Sequence, residues 1–232
     1  MRPLALLVAL ALTAPAFAQT GARPGPRFTA RADVGAVSFG RFLEQRVDDG
    51  ERELQAEPAV QFGGSVGVAL GVASVEVGVR VAPTEFRFRD DSGTGSGALD
   101  ADDAGGLTLT TVGATLRTGL QSVTFGAVRP YAILGVEAGV WSAGEDGIGA
   151  GDDAQIRFGA TTGGGLAVGA GRLGGFVEVT ATGLGNPFSG SDALGVAESP
   201  VGGPFEGPEI ETFDEPSTVS VLGARLGLTV GL

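Results

Sequence analysis

Residues 74–81 read Ser-Val-Glu-Val-Gly-Val-Arg-Val, and this stretch decides the fold. Side chains of an extended strand alternate between its two faces. Val75, Val77, Val79 and Val81 therefore share one face, and Glu76, Gly78 and Arg80 the other. A strand of a soluble sandwich turns its apolar face to a core and its polar face to water. Here the apolar face carries no charge along its whole length, while the opposite face holds both signs.

The pattern repeats along the chain. In 127–141, Ala132, Leu134, Val136, Ala138 and Val140 oppose Tyr131, Gly135, Glu137 and Gly139. In 218–232, Leu222, Ala224, Leu226, Leu228, Val230 and Leu232 oppose Gly223, Arg225, Gly227 and Thr229. Val112, Ala114 and Leu116 oppose Arg117; Leu166 and Val168 oppose Arg157; Val177, Val179 and Ala181 oppose Glu178; Ala30, Ala32, Val34 and Ala36 oppose Arg31 and Asp33. Eight strands are predicted, over 28–39, 59–71, 74–88, 106–119, 127–141, 156–171, 175–184 and 218–232.

The connections alternate in length. Those at 41–58, 89–105, 142–155 and 185–217 are long, and those at 72–73, 120–126 and 172–174 are short. Long loops at one end and tight turns at the other predict an all-β protein, an eight-stranded antiparallel up-and-down transmembrane barrel. The apolar face then meets lipid and the other the lumen. Nine charges within the predicted strands fall on the lumen face: Arg31, Asp33, Glu76, Arg80, Arg117, Glu137, Arg157, Glu178 and Arg225. Five positive and four negative charges nearly cancel, and an unpaired charge in a narrow interior is costly, so an internal ion-pair network is expected. The other acids fall in the long connections and the strand end beside them, and none in a short turn. The expected picture has short periplasmic turns and long acidic extracellular loops.

The N-terminus supports export. Arg2 precedes an apolar run from Leu4 to Ala14, and Ala16-Phe17-Ala18 fits a small-x-small cleavage site before Gln19. The run stops at Pro15, short of the ~20 apolar residues that a spanning helix needs. Residues 1–18 read as a cleaved signal peptide, 19–27 as a periplasmic tail and 28–232 as the outer-membrane barrel. Removing Arg2 leaves 14 Arg against 27 acids, a net charge of −13. Such a chain is no partner for nucleic acid.

The barrel portion resembles the outer-membrane β-barrel domain family of the small OmpA/OmpX-like kind. The likeness rests on Arg129-Pro130-Tyr131 leading into 132–139, on Gly163-Gly164-Gly165-Leu166, and on the last strand, 224–232. The resemblance implies an up-and-down barrel with both termini on the periplasmic side. The chain departs from it in ending on Leu232 where many members carry an aromatic residue. Its aromatic girdles are also thin; Phe28, Phe62, Phe86, Phe88, Phe125, Tyr131 and Trp141 are the candidates for them.

The chain has no Cys and no His. That removes disulfides, thiolate ligands, Ser-His-Asp triads and Cys-His pairs. A Glu137–Glu178 acid–base pair is outweighed by the arginines sharing its face, so no enzyme and no cofactor is expected. Asp100-Ala101-Asp102-Asp103-Ala104-Gly105 has oxygens at positions one and three and Gly at six of a calcium loop. It lacks the acid at position five, and Thr111 stands at position twelve. Divalent cations at these acidic loops are therefore expected only as weak contacts. An eight-stranded barrel is just wide enough for its own side chains, so no general porin activity is expected. A structural or surface-interaction role at the outer-membrane lipid is the leading reading. A transporter or binder of small hydrophobic molecules is the alternative, and a secreted soluble β-barrel stands behind both.

Overall fold

Alternating small and β-branched residues form ten strands in the computed structural model, which describes residues 26–47, 50–90, 105–119, 128–147, 154–170, 172–189 and 216–232. They are β1 (Arg27–Phe39), β2 (Arg41–Val47), β3 (Gly50–Ala56), β4 (Ala59–Leu70), β5 (Ala73–Asp90), β6 (Gly105–Gly119), β7 (Val128–Gly147), β8 (Gln155–Ala170), β9 (Leu173–Gly185) and β10 (Thr218–Gly231). Eight of them close a ring in the order β1-β4-β5-β6-β7-β8-β9-β10, every pair antiparallel. The ring shuts where Arg31 pairs with Thr229 and Ala36 with Ala224. Closure removes the free edges that an open sheet would leave.

At one end, here the turn end, β4 passes to β5 through Gly71-Val72. Gly71 has φ of +66°, a conformation that an L side chain resists. The opposite, loop end departs from expectation. Residues 41–58 are not a plain loop but largely the β2–β3 hairpin, which continues β1 and β4 past breaks at Gly40 and Glu57-Pro58. β3 keeps pairing with β5, Leu54 opposite Phe88, whereas among the described residues β2 pairs with β3 alone.

The two faces separate as the alternation requires. Val75, Val77, Val79, Val136, Val177, Val179, Leu226 and Leu228 are exposed on the outer wall, while Glu76, Arg80, Arg117, Glu137, Glu178 and Arg225 are buried within. The expected girdle is only partly there. Phe28 and Phe62 point outward, and Phe158, 77% exposed, joins them; Phe86, Tyr131 and Trp141 point inward and are buried. The physical reason is parity: Tyr131 and Trp141 lie an even number of residues from Glu137, so they share its face. The side chain of Phe88 and all of Phe125 lie outside the described residues, as do the proposed signal peptide and most of the tail.

The register explains the abundance of glycine. Large lumen side chains sit opposite glycines: Arg80 opposite Gly63, Glu76 opposite Gly67, Glu137 opposite Gly113, Tyr131 opposite Gly165, Phe176 opposite Gly227 and Arg225 opposite Gly35. A Cβ at Gly113 would stand 2.7 Å from Glu137 Cγ, and one at Gly165 would stand 2.6 Å from Tyr131 Cζ. Each glycine is a socket that lets one long side chain lie flat across its neighbour strand.

Gly113→Val is expected to lower the folded fraction and the melting point, by about 1–3 kcal/mol as overpacking does. Gly183→Ala, at a position with open space around it, should leave both unchanged. Heat-modifiable gel mobility across a temperature series checks the pair.

Candidate functional site

The lumen is layered. Near the turn end, Glu178 of β9 is the hub. Its Oε1 accepts from Arg117 Nε at 2.8 Å and from the Tyr131 hydroxyl at 2.7 Å, and its Oε2 accepts from Arg225 Nε at 2.6 Å. Arg31 Nη2 reaches the same carboxylate at 2.9 Å. Glu76 is the second acid: Arg117 Nη1 lies 2.6 Å from its Oε2 and Arg31 Nη1 lies 3.6 Å from its Oε1. Ser65 and Ser74 hydroxyls also donate to Glu76. The Arg117 Nη1 contact is close but not aligned as a hydrogen bond, which makes it an electrostatic contact.

Aromatic groups complete this layer. The Arg31 guanidinium lies 3.6 Å from the Phe176 ring centre, a cation–π contact inside the barrel. It also donates to the Tyr131 hydroxyl at 3.2 Å. β1 and β7 are four strands apart in a ring of eight, so the Arg31–Tyr131 bond crosses the lumen.

One layer higher, Arg80 Nε donates to Asp33 Oδ1 at 3.3 Å. Glu137 stands beside Arg80 and Arg225 at a cavity of about 20 Å³, which Thr111, Thr180 and Thr182 also line. That volume holds about one water molecule. Glu137 forms no ion pair within 4.0 Å among the described residues.

Toward the loop end the lumen turns aromatic. Phe42 of β2 is fully buried and meets Trp141 at 5.5 Å, Phe86 at 5.8 Å and Phe188 at 5.9 Å, all edge to face. Phe39 joins Trp141 at 6.1 Å, again spanning from β1 to β7. Asn186 fastens this cap. Its Nδ2 donates to the Phe42 carbonyl at 2.6 Å and to the Pro216 carbonyl at 2.8 Å, and its Oδ1 accepts from Phe188 N. The β2–β3 hairpin, the turn after β9 and the approach to β10 are thereby tied together.

Of the nine residues singled out in the sequence, seven converge in the two ionic layers and Glu137 lines the cavity above them. Arg157 does not join them. It sits at the loop-end rim, where its Nε donates to the Asn186 carbonyl and its Nη2 to the Ser189 carbonyl. Without it the lumen set is four arginines against four carboxylates. Sequence reasoning missed the Phe42–Asn186 cap, because both residues lie in stretches read as connection; the aromatic spacing of Phe39 and Phe42 was the available signal. The calcium-like stretch 100–105 lies, except for Gly105, outside the described residues. No cluster of metal-ligating side chains occurs among those described.

No protein-family profile and no curated protein matches the chain. Solved structures do match. Neisserial surface protein A (NspA) aligns with a TM-score of 0.54 at 12% identity, over 89% of this chain and 99% of that one. The outer membrane protease OmpT from Escherichia coli aligns with a TM-score of 0.44 at 9% identity, over 92% and 99%. The former likeness shows the fold, the closed eight-stranded barrel of small outer-membrane proteins.

Glu178→Gln removes the charge on which three arginines converge. It is expected to cost about 3–5 kcal/mol, as breaking a buried ion pair does, while Glu137→Gln costs clearly less. Urea unfolding midpoints of the two variants, read side by side, check the ranking.

Proposed function

We propose that this chain is a non-enzymatic outer-membrane barrel whose lumen is shut and whose role is structural or surface-interacting. One observation carries the reading: two stacked barriers span the same lumen. The Arg31–Tyr131–Glu178–Arg117 layer and the Phe39–Phe42–Trp141 cap each reach from strand to opposite strand. The cavity of about 20 Å³ beside Glu137, between them, is too small for a transported solute. A continuous apolar outer wall supports membrane insertion. The proposed signal peptide, residues 1–18, supports export. Absence of His and Cys supports a non-catalytic role.

In this reading the acidic loops, including 185–217, form the outward surface and the turn end faces the periplasm. Lateral binding of a small hydrophobic molecule finds no support in a lumen whose middle is ionic and whose top is filled by its own rings.

Planar-bilayer recordings of the purified chain are expected to show no large, stable conductance steps. Phe42→Ala should remain silent as well, since the ionic layer still blocks the path. Large steps from the unaltered protein would overturn the closed-barrel reading.

A further inference from the structure

The ionic layers of the lumen are unevenly charged. Near the turn end, Glu178 and Glu76 face Arg31, Arg117 and Arg225, one cation in excess. One layer higher, Asp33 and Glu137 stand with Arg80, one anion in excess. The two layers therefore balance only together, through Arg225 below and Glu137 above. Both side chains line the cavity of about 20 Å³, yet no ion pair within 4.0 Å joins them.

Hydrogen bonding points to the same place. Arg80 holds Asp33 through Nε at 3.3 Å, and Arg225 holds Glu178 through Nε at 2.6 Å. The Nη groups of both arginines make no hydrogen bond among the described residues, and the buried Glu137 carboxylate makes none either. A buried carboxylate without a donor is very costly. All three side chains border a space that holds about one water molecule. Its occupant must donate to a carboxylate and accept from a guanidinium. A cation there would be repelled by Arg80 and Arg225, and an anion by Glu137. A water molecule performs both tasks with one oxygen.

We propose that this cavity is a binding site for a single ordered water, which donates to Glu137 and accepts from an Nη group of Arg80 or Arg225. Thr111 and Thr180, on the cavity wall, supply its remaining partner. Glu137 is thereby held in a water-mediated ion pair, and β7 is tied across the lumen to β5 and β10. The inference rests on the closed-lumen reading given above, because an open channel would carry a file of waters instead.

The test is a crystal structure of the full chain grown from detergent, with rubidium bromide as the only added salt. The expected result is one density peak in the cavity, within about 3.2 Å of a Glu137 carboxylate oxygen and of an Nη atom of Arg80 or Arg225. That peak should give no anomalous signal from rubidium or bromide. Crystals of Glu137→Leu should lose it, since the acceptor of its proton is gone. An anomalous peak, an empty cavity, direct contact of Glu137 with either arginine, or a peak that survives in Glu137→Leu overturns the proposal and leaves the closed barrel standing. A file of peaks running from the turn end to the loop end overturns the closed-lumen reading and this inference with it.

Discussion

A ring of eight strands encloses so little space that whatever points inward must be satisfied by what it meets there. This constraint organises the molecule. Lumen carboxylates and guanidiniums reach water poorly, and all of them but Glu137, which lines the cavity, meet an opposite charge from another strand. Glu178 meets three arginines and a tyrosine hydroxyl, and Glu76 meets two arginines and two serines. The same narrowness demands the glycines. Gly63, Gly67, Gly113 and Gly165 stand opposite Arg80, Glu76, Glu137 and Tyr131 and leave room for these long side chains.

Charge and apolar packing then divide the lumen by height. The ionic layers lie toward the turn end and the aromatic cap toward the loop end, with the cavity beside Glu137 between them. The cap exists because the first hairpin does not continue straight up. Gly40 and Glu57-Pro58 interrupt β1/β2 and β3/β4 at matching heights, and a proline lacks the donor that a continuous ladder needs. Beyond the break Phe42 turns into the barrel mouth, and Asn186 accepts and donates where the redirected backbone would otherwise leave polar groups unpaired.

The eight barrel strands were legible in the sequence because the lipid-facing parity is almost free of charge, as in Val75, Val77, Val79 and Val81. The lumen positions of Arg31, Asp33, Glu76, Arg80, Arg117, Glu137, Glu178 and Arg225 follow from the same alternation. Inward placement of Tyr131 and Trp141 was legible too, since both share the parity of Glu137, yet aromatic residues invite a reading as interfacial girdle. Partner choice was not legible. Parity states that Glu178 and Arg117 face inward, but β9 and β6 are three strands apart and 61 residues separate the two side chains.

The sequence by itself determined the alternation, the number of crossings, the sign of each face and the concentration of acids away from the short turns. These properties are local, fixed by the period of a strand and by which side chains tolerate lipid. Only the tertiary structure decided which charges meet, that Arg157 leaves the network for the rim, and that 41–58 folds into the hairpin that carries the Phe42 cap. Those outcomes depend on the stagger of strands around a closed ring, and stagger is set by pairing between distant segments rather than by any one segment's own residues.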